Sequence, residues 1–259
     1  MTMATRNDDQ FYFTGRFVVL QAGSTRFRVP TDGLIRESQF FSDMFSLPIP
    51  ASGTTVEGVS DDKPIMLPES ISAESFRSLL RLLYPSASLG CSSGEDHAVE
   101  LSESEWISVL ELSTMWYFLR YRKMAISHLN GLLTPIEKVC LGREYKVTFW
   151  VEQGYHSLVK RKETISNDEA LELMTGSESD HPLTALALLR IREKRAKYFA
   201  GRAGWSTPPG NTVERDVERA FGEELSNIRK IEEPYGIAEA PTSDRARDEI
   251  DYSTYCYRY

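Results

Sequence analysis

Two short strand patterns that run directly into a helical pattern constrain the fold more than any other feature of this sequence. Residues 17–20 (FVVL) form a continuous apolar run, which is typical of a strand covered on both faces. The next segment alternates, with Phe27 and Val29 on one face and arginines on the other. Ala22-Gly23 suits a tight connection between the two, because glycine tolerates a positive φ angle. We therefore predict a β-hairpin that covers a core.

The residues from 31 to 45 follow without a linker and have helical periodicity. Their apolar stripe consists of Leu34, Phe41 and Phe45 with Ser38 among them, widened by Ile35, Phe40 and Met44. A strand candidate at 64–68 precedes a second helix, which begins after Ser72 and ends before Pro85. From these stripes we expect a buried core that contains Phe27, Val29, Phe41, Phe45, Leu79 and Leu82.

Three S/T-x-x-E capping boxes mark helix starts farther along the chain. They are Ser102 with Glu105, Thr134 with Glu137, and Ser166 with Glu169. The predicted helices cover 103–130, 135–162 with a break near Gly154, and 167–175, and two more are predicted from His181 onward and over 211–232. A few strands followed by many helices predict an α+β unit of about 130 residues with an α-helical extension.

Composition narrows the classes of protein that this chain could represent. The formal net charge is −8, which argues against a dominant electrostatic role in nucleic-acid binding. Cys91, Cys140 and Cys256 lie far apart and predict no disulfide framework, which favours a reducing compartment. No signal peptide and no run of 18 apolar residues is visible in the sequence. We expect a soluble protein of the cytoplasm, the nucleus or both, without a membrane partner.

No residue pattern indicates catalysis. The four histidines, His97, His128, His156 and His181, have no neighbouring ligands at metal-binding spacing, and His128 is interpreted as a core-edge or capping residue. The glycines lack the context of a phosphate-binding loop, and no nucleophile elbow is present. We therefore expect no enzyme activity, no catalytic or metal-binding residue, no cofactor and no small-molecule substrate.

Several segments, in this order and spacing, resemble BTB/POZ proteins. VVLQAGSTRFRVPTDGLIRESQFFSDMF is similar to the opening hairpin and helix of a BTB/POZ domain, and IMLPESISAESFRSLLRLLYP to its next strand and helix. WISVLELSTMWYFLRYRKMAISHLN resembles the helical pair that closes that domain. The segment from PIEKVC to NDEAL resembles the extension found in BTB proteins that are abundant in mushroom-forming fungi.

This resemblance implies a fold in which a small sheet is capped by helical hairpins. It implies a BTB/POZ domain at 11–131, a helical extension at 132–203, and a linker, amphipathic helix and flexible tail at 204–259. The implied function is a non-enzymatic protein–protein interaction module, a scaffold or adaptor whose partners are other proteins or further copies of itself. The alternatives are a substrate adaptor of a cullin-type ubiquitin ligase, which predicts co-purification with a cullin, and a nuclear transcriptional regulator, which predicts DNA binding at low salt.

Two segments are candidates for the interaction surface. In MWYFLRY the candidate residues are Met115, Trp116, Tyr117, Leu119 and Tyr121, which form either additional core packing or an aromatic-rich interface. In 211–232 an apolar stripe runs through Val213, Val217, Phe221, Leu225, Ile228 and Ile231, with Val217, Phe221 and Ile228 as candidate contact residues. This helix is expected to dock on its own domain or to pair with a partner or a second copy.

One basic run leaves two interpretations open. It comprises Arg190, Arg192, Lys194, Arg195, Lys197 and Arg202, on a predicted helix whose other face is apolar. A solvated helix face is the ordinary explanation of such spacing, and a nuclear-import or phosphate-binding patch is the functional one.

Overall fold

The computed structural model describes residues 16–47, 57–85, 99–175, 183–200 and 212–236. The chain forms two compact units, the first ending at Arg122 and the second beginning at Lys123. The structure is mostly helical with one small three-stranded sheet, in agreement with the α+β prediction. No helix in the described ranges has both the length and the apolar character that crossing a bilayer requires.

The first unit contains the sheet. Its strands are β1 (Phe17–Ala22), β2 (Thr25–Pro30) and β3 (Ile65–Met66), in the order β2-β1-β3. The strands β1 and β2 are antiparallel, with Leu20 opposite Phe27, and β3 pairs in parallel with β1. Gly23 turns the hairpin with φ 55°. The helices are α1 (Thr31–Glu37), α2 (Gln39–Ser46), α3 (Ala73–Leu83), α4 (Glu103–Met115) and α5 (Leu119–Leu129), which continues past Arg122.

The second unit is built from helices in its described residues. They are α6 (Pro135–Glu144), α7 (Thr148–Lys160), α8 (Asn167–Met174), α9 (Thr184–Ala200) and α10 (Thr212–Glu232), followed by a 3₁₀ turn (Glu233–Tyr235). The predicted linker at 204–210 and most of the predicted tail lie outside the described residues. The helix predicted over 211–232 is part of this unit and not a separate segment.

All three predicted capping boxes are present. In each box the Ser or Thr side chain accepts from the backbone N–H three residues later, and the Glu carboxylate accepts from the N-cap backbone. The predicted N-cap of α3 is also correct, because the Ser72 hydroxyl accepts from the backbone N–H of Ser75 at 3.0 Å. Local hydrogen bonding thus places these four helix starts.

The predicted single helix over 31–45 is wrong, because Ser38 divides it into α1 and α2. Ser38 has extended backbone angles (φ −138°, ψ 120°) and its hydroxyl accepts from the N–H of Phe41. The same hydroxyl donates to the carbonyl of Trp116 at 2.6 Å. A serine that finds these two partners caps a new helix instead of continuing the old one.

The predicted core of the first unit is correct for Val29, Phe41 and Leu79, which are buried. The other three predicted core residues, Phe27, Phe45 and Leu82, are only half-buried. Phe27 belongs to the edge strand β2 and meets Phe76 edge-on at 5.0 Å between ring centroids. Phe45 lies in the last turn of α2 and stacks on Phe41. These rings pack at the margin of the core, where one face stays near solvent.

The predicted helix over 103–130 is interrupted between α4 and α5. Tyr117 has φ 56°, in the left-handed region, and the backbone N–H of Phe118 donates to the carbonyl of Ser113 at 2.9 Å. This hydrogen bond spans six residues and closes the helix end as a Schellman motif does. The chain therefore turns a corner at 116–118, which we call the α4–α5 corner.

The predicted helix over 135–162 also breaks, but not near Gly154. The break lies between α6 and α7, where Lys146 has φ 56° and the N–H of Val147 donates to the carbonyl of Gly142 at 2.8 Å. Gly154 lies inside α7, where this helix packs closely against α6. A Cβ atom there would lie 2.6 Å from Val139 Cγ2. This glycine allows close helix packing and does not end the helix.

Candidate protein-interaction surface

The α4–α5 corner has an inner side that belongs to the core. The Trp116 side chain is 5% exposed, and its ring meets Phe41 at 5.4 Å and Phe76 at 5.9 Å. Tyr121 is also 5% exposed, and its hydroxyl donates to the carbonyl of Leu82 at 3.4 Å. Trp116 and Tyr121 were predicted as interface residues, and this is corrected: the helix break turns both rings inward, where a partner cannot reach them.

The outer side of the same corner is apolar and exposed. Met115 is 40% exposed, Tyr117 40% and Leu119 43%. Phe40, in α2, is 43% exposed, and its ring lies 5.3 Å from that of Phe41. We call Phe40, Met115, Tyr117 and Leu119 the corner surface. The aromatic-rich interpretation of MWYFLRY thus applies to three of its five candidate residues.

Two polar contacts hold α1 and α2 against the corner. The hydrogen bond from Ser38 to the Trp116 carbonyl joins the α1–α2 junction to the end of α4. One turn away, the Arg120 guanidinium lies 3.7 Å from the Glu37 carboxylate and 5.5 Å from the centre of the Tyr121 ring. These groups form a charged margin beside the exposed apolar side chains. An apolar centre with a polar rim is the usual arrangement of protein–protein interfaces.

Phe40 was missed as a surface residue. The sequence placed it in the widened apolar stripe of one long helix, which would have directed it toward the core. Because Ser38 starts a new helix, the stripe is not widened as expected: Phe40 is exposed, while Phe41 is buried as predicted. The sequence signal of this change was Ser38 itself, because serine is a preferred N-cap residue.

The candidate residues of α10 are buried in the second unit. Val217 is 1% exposed, Phe221 6% and Ile228 7%, and the Phe221 ring stacks on that of Tyr155 at 4.1 Å. In the structure, α10 therefore docks on its own unit. The assignment of Val217, Phe221 and Ile228 as partner-contact residues is corrected. Of the predicted stripe, only Ile231 is exposed.

A buried polar network fixes α10 in place. Arg143 of α6 donates to the carboxylate of Glu224 at 2.7 Å and to the hydroxyl of Tyr155 at 2.7 Å. It also donates to the carbonyl of Leu173 and the hydroxyl of Thr184, each at 2.8 Å. Burial is the main reason why the pKa of Tyr155 lies well above its usual value. One guanidinium thus connects α6, α7, α8, α9 and α10.

Both ends of α7 are capped by side chains from later helices. Glu232 of α10 is fully buried, and its carboxylate accepts from the hydroxyl of Thr148 at 2.6 Å and from its backbone N–H at 3.1 Å. At the other end, Arg192 donates to the carbonyls of Leu158 and Glu163. Positive groups are favourable at a helix C-terminus, where carbonyls lack partners.

These contacts correct part of the expectation for the basic run. Arg192 and Arg195 are half-buried and bind backbone carbonyls, so they do not belong to a solvated face. Lys197 pairs with Glu193 on the surface, and Arg190 is exposed. Arg202 lies outside the described residues.

The titratable residues of the described part of the chain offer little reactive chemistry. Burial raises the pKa of the Cys140 thiol to about 11, which keeps it protonated near neutral pH. Burial lowers the pKa values of His128 and His156. Within the described ranges, no three His, Cys, Asp or Glu side chains come together as a metal-binding group. The other cysteines and histidines lie outside those ranges.

Comparison of the sequence with models of known protein families gives no match, and comparison with curated proteins gives none.

Proposed function

We propose that this protein is a non-enzymatic interaction module of the BTB/POZ type, a scaffold or adaptor that binds another protein through its corner surface. The observation that carries this proposal is the set of exposed apolar side chains Met115, Tyr117 and Leu119 on a corner whose inner side is core, with the exposed Phe40 beside Phe41, whose ring meets the inner residue Trp116. Aromatic residues and Met are enriched at binding hot spots. The cysteine pattern favours a cytoplasmic or nuclear location for this function.

The rigidity of the corner supports a binding role. The inner residues Trp116 and Phe118 are buried. The hydrogen bond from Ser38 to the Trp116 carbonyl holds the backbone of the corner against the start of α2. An exposed side chain on a fixed backbone loses little conformational freedom when a partner covers it.

The resemblance to BTB/POZ proteins supports the class of function. A hairpin that leads into α1, a third strand beside β1, and the paired helices α4 and α5 are compatible with a small sheet capped by helical hairpins. The partner that fits the corner surface is a protein with a complementary apolar patch, since the four exposed side chains of that surface are apolar.

The test changes two side chains of the corner surface, those of Tyr117 and Leu119, and is designed to keep the backbone conformation. Tyr117→Gly keeps the left-handed conformation, which glycine adopts readily, and Leu119→Gln replaces an exposed side chain. The control is Lys146→Gly with Leu132→Gln, which makes the same kinds of change in the second unit, where Leu132 is 57% exposed. Circular dichroism verifies the fold of both double variants.

Light scattering of the full chain measures self-association, and quantitative pull-down measures partner binding. We expect the corner variant to bind at least about tenfold more weakly than the wild type, and the control to bind as the wild type does. A cullin among the proteins lost would assign the adaptor role. Binding that survives in the corner variant, or falls equally in the control, would contradict the proposal.

A further inference from the structure

A cleft between α9 and α10 of the second unit combines an apolar floor with a cationic rim. Its volume is about 220 Å³. Ile191 and Val213 lie at its base and are 8% and 9% exposed. This volume is below the range of about 300–1,000 Å³ that accommodates drug-sized ligands. The space therefore suits a small ligand.

The charged side chains around the cleft are mostly positive. Lys194 and Arg195 come from α9, and Arg215 and Arg219 come from α10. Asp216 is the one carboxylate among the described lining residues, so positive charges exceed negative ones by three. The whole chain has the opposite sign, with a formal net charge of −8.

Asp216 orients two of these cations toward one another. Its carboxylate lies 2.5 Å from the ammonium of Lys194 and 3.7 Å from the guanidinium of Arg219. The pair Lys194–Asp216 joins α9 to α10 across the cleft. The carboxylate is 17% exposed, whereas the Lys194 and Arg219 side chains are 62% and 76% exposed, so both cations remain accessible to a ligand.

Two acidic neighbours on the same helices, Glu193 and Glu214, bind cations other than those of the rim. Glu193 binds Lys197 at 2.7 Å, and Glu214 binds Lys160 at 3.1 Å. The sequence that connects the two helices, 201–211, contains one arginine and no Asp or Glu. These residues therefore leave the cationic excess of the rim in place.

We propose that this cleft binds a small anion with two linked phosphate groups. A phosphate monoester carries about 1.5 to 2 negative charges at pH 7, so two phosphate groups match the cationic excess. Arginines bind phosphate oxygens with two parallel N–H donors; Arg215 and Arg219 are exposed at the cleft, and Arg195, which donates to the Val159 carbonyl, adds its positive charge. This inference is independent of the corner surface, and its success or failure leaves that proposal unchanged.

The test measures pyrophosphate binding to the full chain by calorimetry at low, constant ionic strength. Arg215→Gln with Arg219→Gln removes two exposed rim cations, and we expect the affinity to fall at least about tenfold. The control is Arg229→Gln with Lys230→Gln, which removes two exposed cations from the other end of the same helix. It should bind as the wild type does. Orthophosphate should bind at least about tenfold more weakly than pyrophosphate.

Hydrogen exchange provides a readout that needs no variant. In the wild type, pyrophosphate should slow amide exchange in 212–219 and leave 225–232 unchanged. The proposal is overturned if pyrophosphate shows no saturable binding, if orthophosphate binds equally well, if the control loses as much affinity as the cleft variant, or if protection is not confined to the cleft end of α10.

Discussion

Adjacent aromatic residues of α2 occupy opposite environments. Phe41 is 2% exposed and meets the rings of Phe45, Trp116 and Phe118 at 6.0, 5.4 and 5.7 Å, whereas Phe40 is 43% exposed. Phe41→Ala should lower the free energy of unfolding by about 3–5 kcal/mol, because it leaves a cavity among these rings. Phe40→Ala is the matched control and should cost less than about 1 kcal/mol. Chemical denaturation measures both, and equal effects would contradict the assignment of Phe41 to the core.

A second residue-scale prediction concerns Glu169 at the start of α8. Arg161 donates to both of its carboxylate oxygens, at 2.8 and 2.5 Å. This hydrogen bonding is the main reason why its pKa falls from 4.5 to about 2. In the unfolded chain the carboxylate takes up a proton near its ordinary pKa, while the folded protein keeps it charged. It therefore stabilises the fold above about pH 4.5 and loses this effect as the pH falls toward 2.

Comparison of the wild type with Glu169→Gln isolates this contribution. The difference in melting temperature should be largest near pH 6 and should shrink between about pH 4.5 and pH 2. Glu172→Gln removes an exposed carboxylate from the same helix and controls for the loss of one charge. A difference that stays constant over the whole pH range would show that the ion pair with Arg161 does not depress this pKa.

At the scale of elements, helix starts and helix ends differ in how visibly the sequence encodes them. Every start predicted from a capping box is present, since the polar groups that form the box lie within four residues of each other. The helix ends at Tyr117 and Lys146 were missed. Both adopt the left-handed angles that usually indicate glycine, and neither residue type signals that conformation. The packing around these two residues imposes the angles, and that packing cannot be read from a local sequence pattern.

The left-handed angle at position 146 predicts that Gly and Ala have opposite effects on stability there and inside a regular helix. At position 146, Gly should give a more stable protein than Ala by about 1 kcal/mol, because the left-handed conformation penalises a Cβ atom. At Lys123, an exposed position inside α5, Ala should be more stable than Gly by about 1 kcal/mol. The four single variants are compared by urea denaturation. The same order at both positions would mean that Lys146 does not hold a left-handed angle in solution.

The candidate interaction residues illustrate a limit of the same kind. Composition identified 115–121 as unusually aromatic, but period and composition alone did not separate Trp116, which is buried, from Tyr117, which is exposed. The separation depends on the corner between α4 and α5. In the cleft between α9 and α10, the basic run was visible in the sequence. The cations Arg215 and Arg219 join it only because α10 packs beside α9.

At the scale of the whole molecule, the contacts that position α10 connect distant parts of the chain. Arg143 and Glu224 are separated by 81 residues, and Thr148 and Glu232 by 84. The stripe of α10 predicted that this helix must bury one face, but it did not identify the surface that covers it. The structure supplies that surface with α7, through Tyr155 and its stacking on Phe221.

Removing residues 205–259 tests this arrangement in solution. The deletion exposes the apolar surface that Val217, Phe221 and Ile228 cover and leaves the Arg143 guanidinium without Glu224. Burial of each such side chain contributes about 1.5–3 kcal/mol, so the loss is comparable with the entire stability of a domain. A deletion of 237–259 keeps every contact described for α10, and the difference between the two truncations isolates that helix.

We expect the longer deletion to abolish slow amide exchange in α7 while the oligomeric state stays that of the shorter one. The strands β1 and β2 belong to the other compact unit and provide an internal reference in the same experiment. If the longer deletion instead keeps α7 protected but loses self-association by light scattering, α10 is an interaction helix in solution. The buried network around Arg143 would then not hold the second unit together.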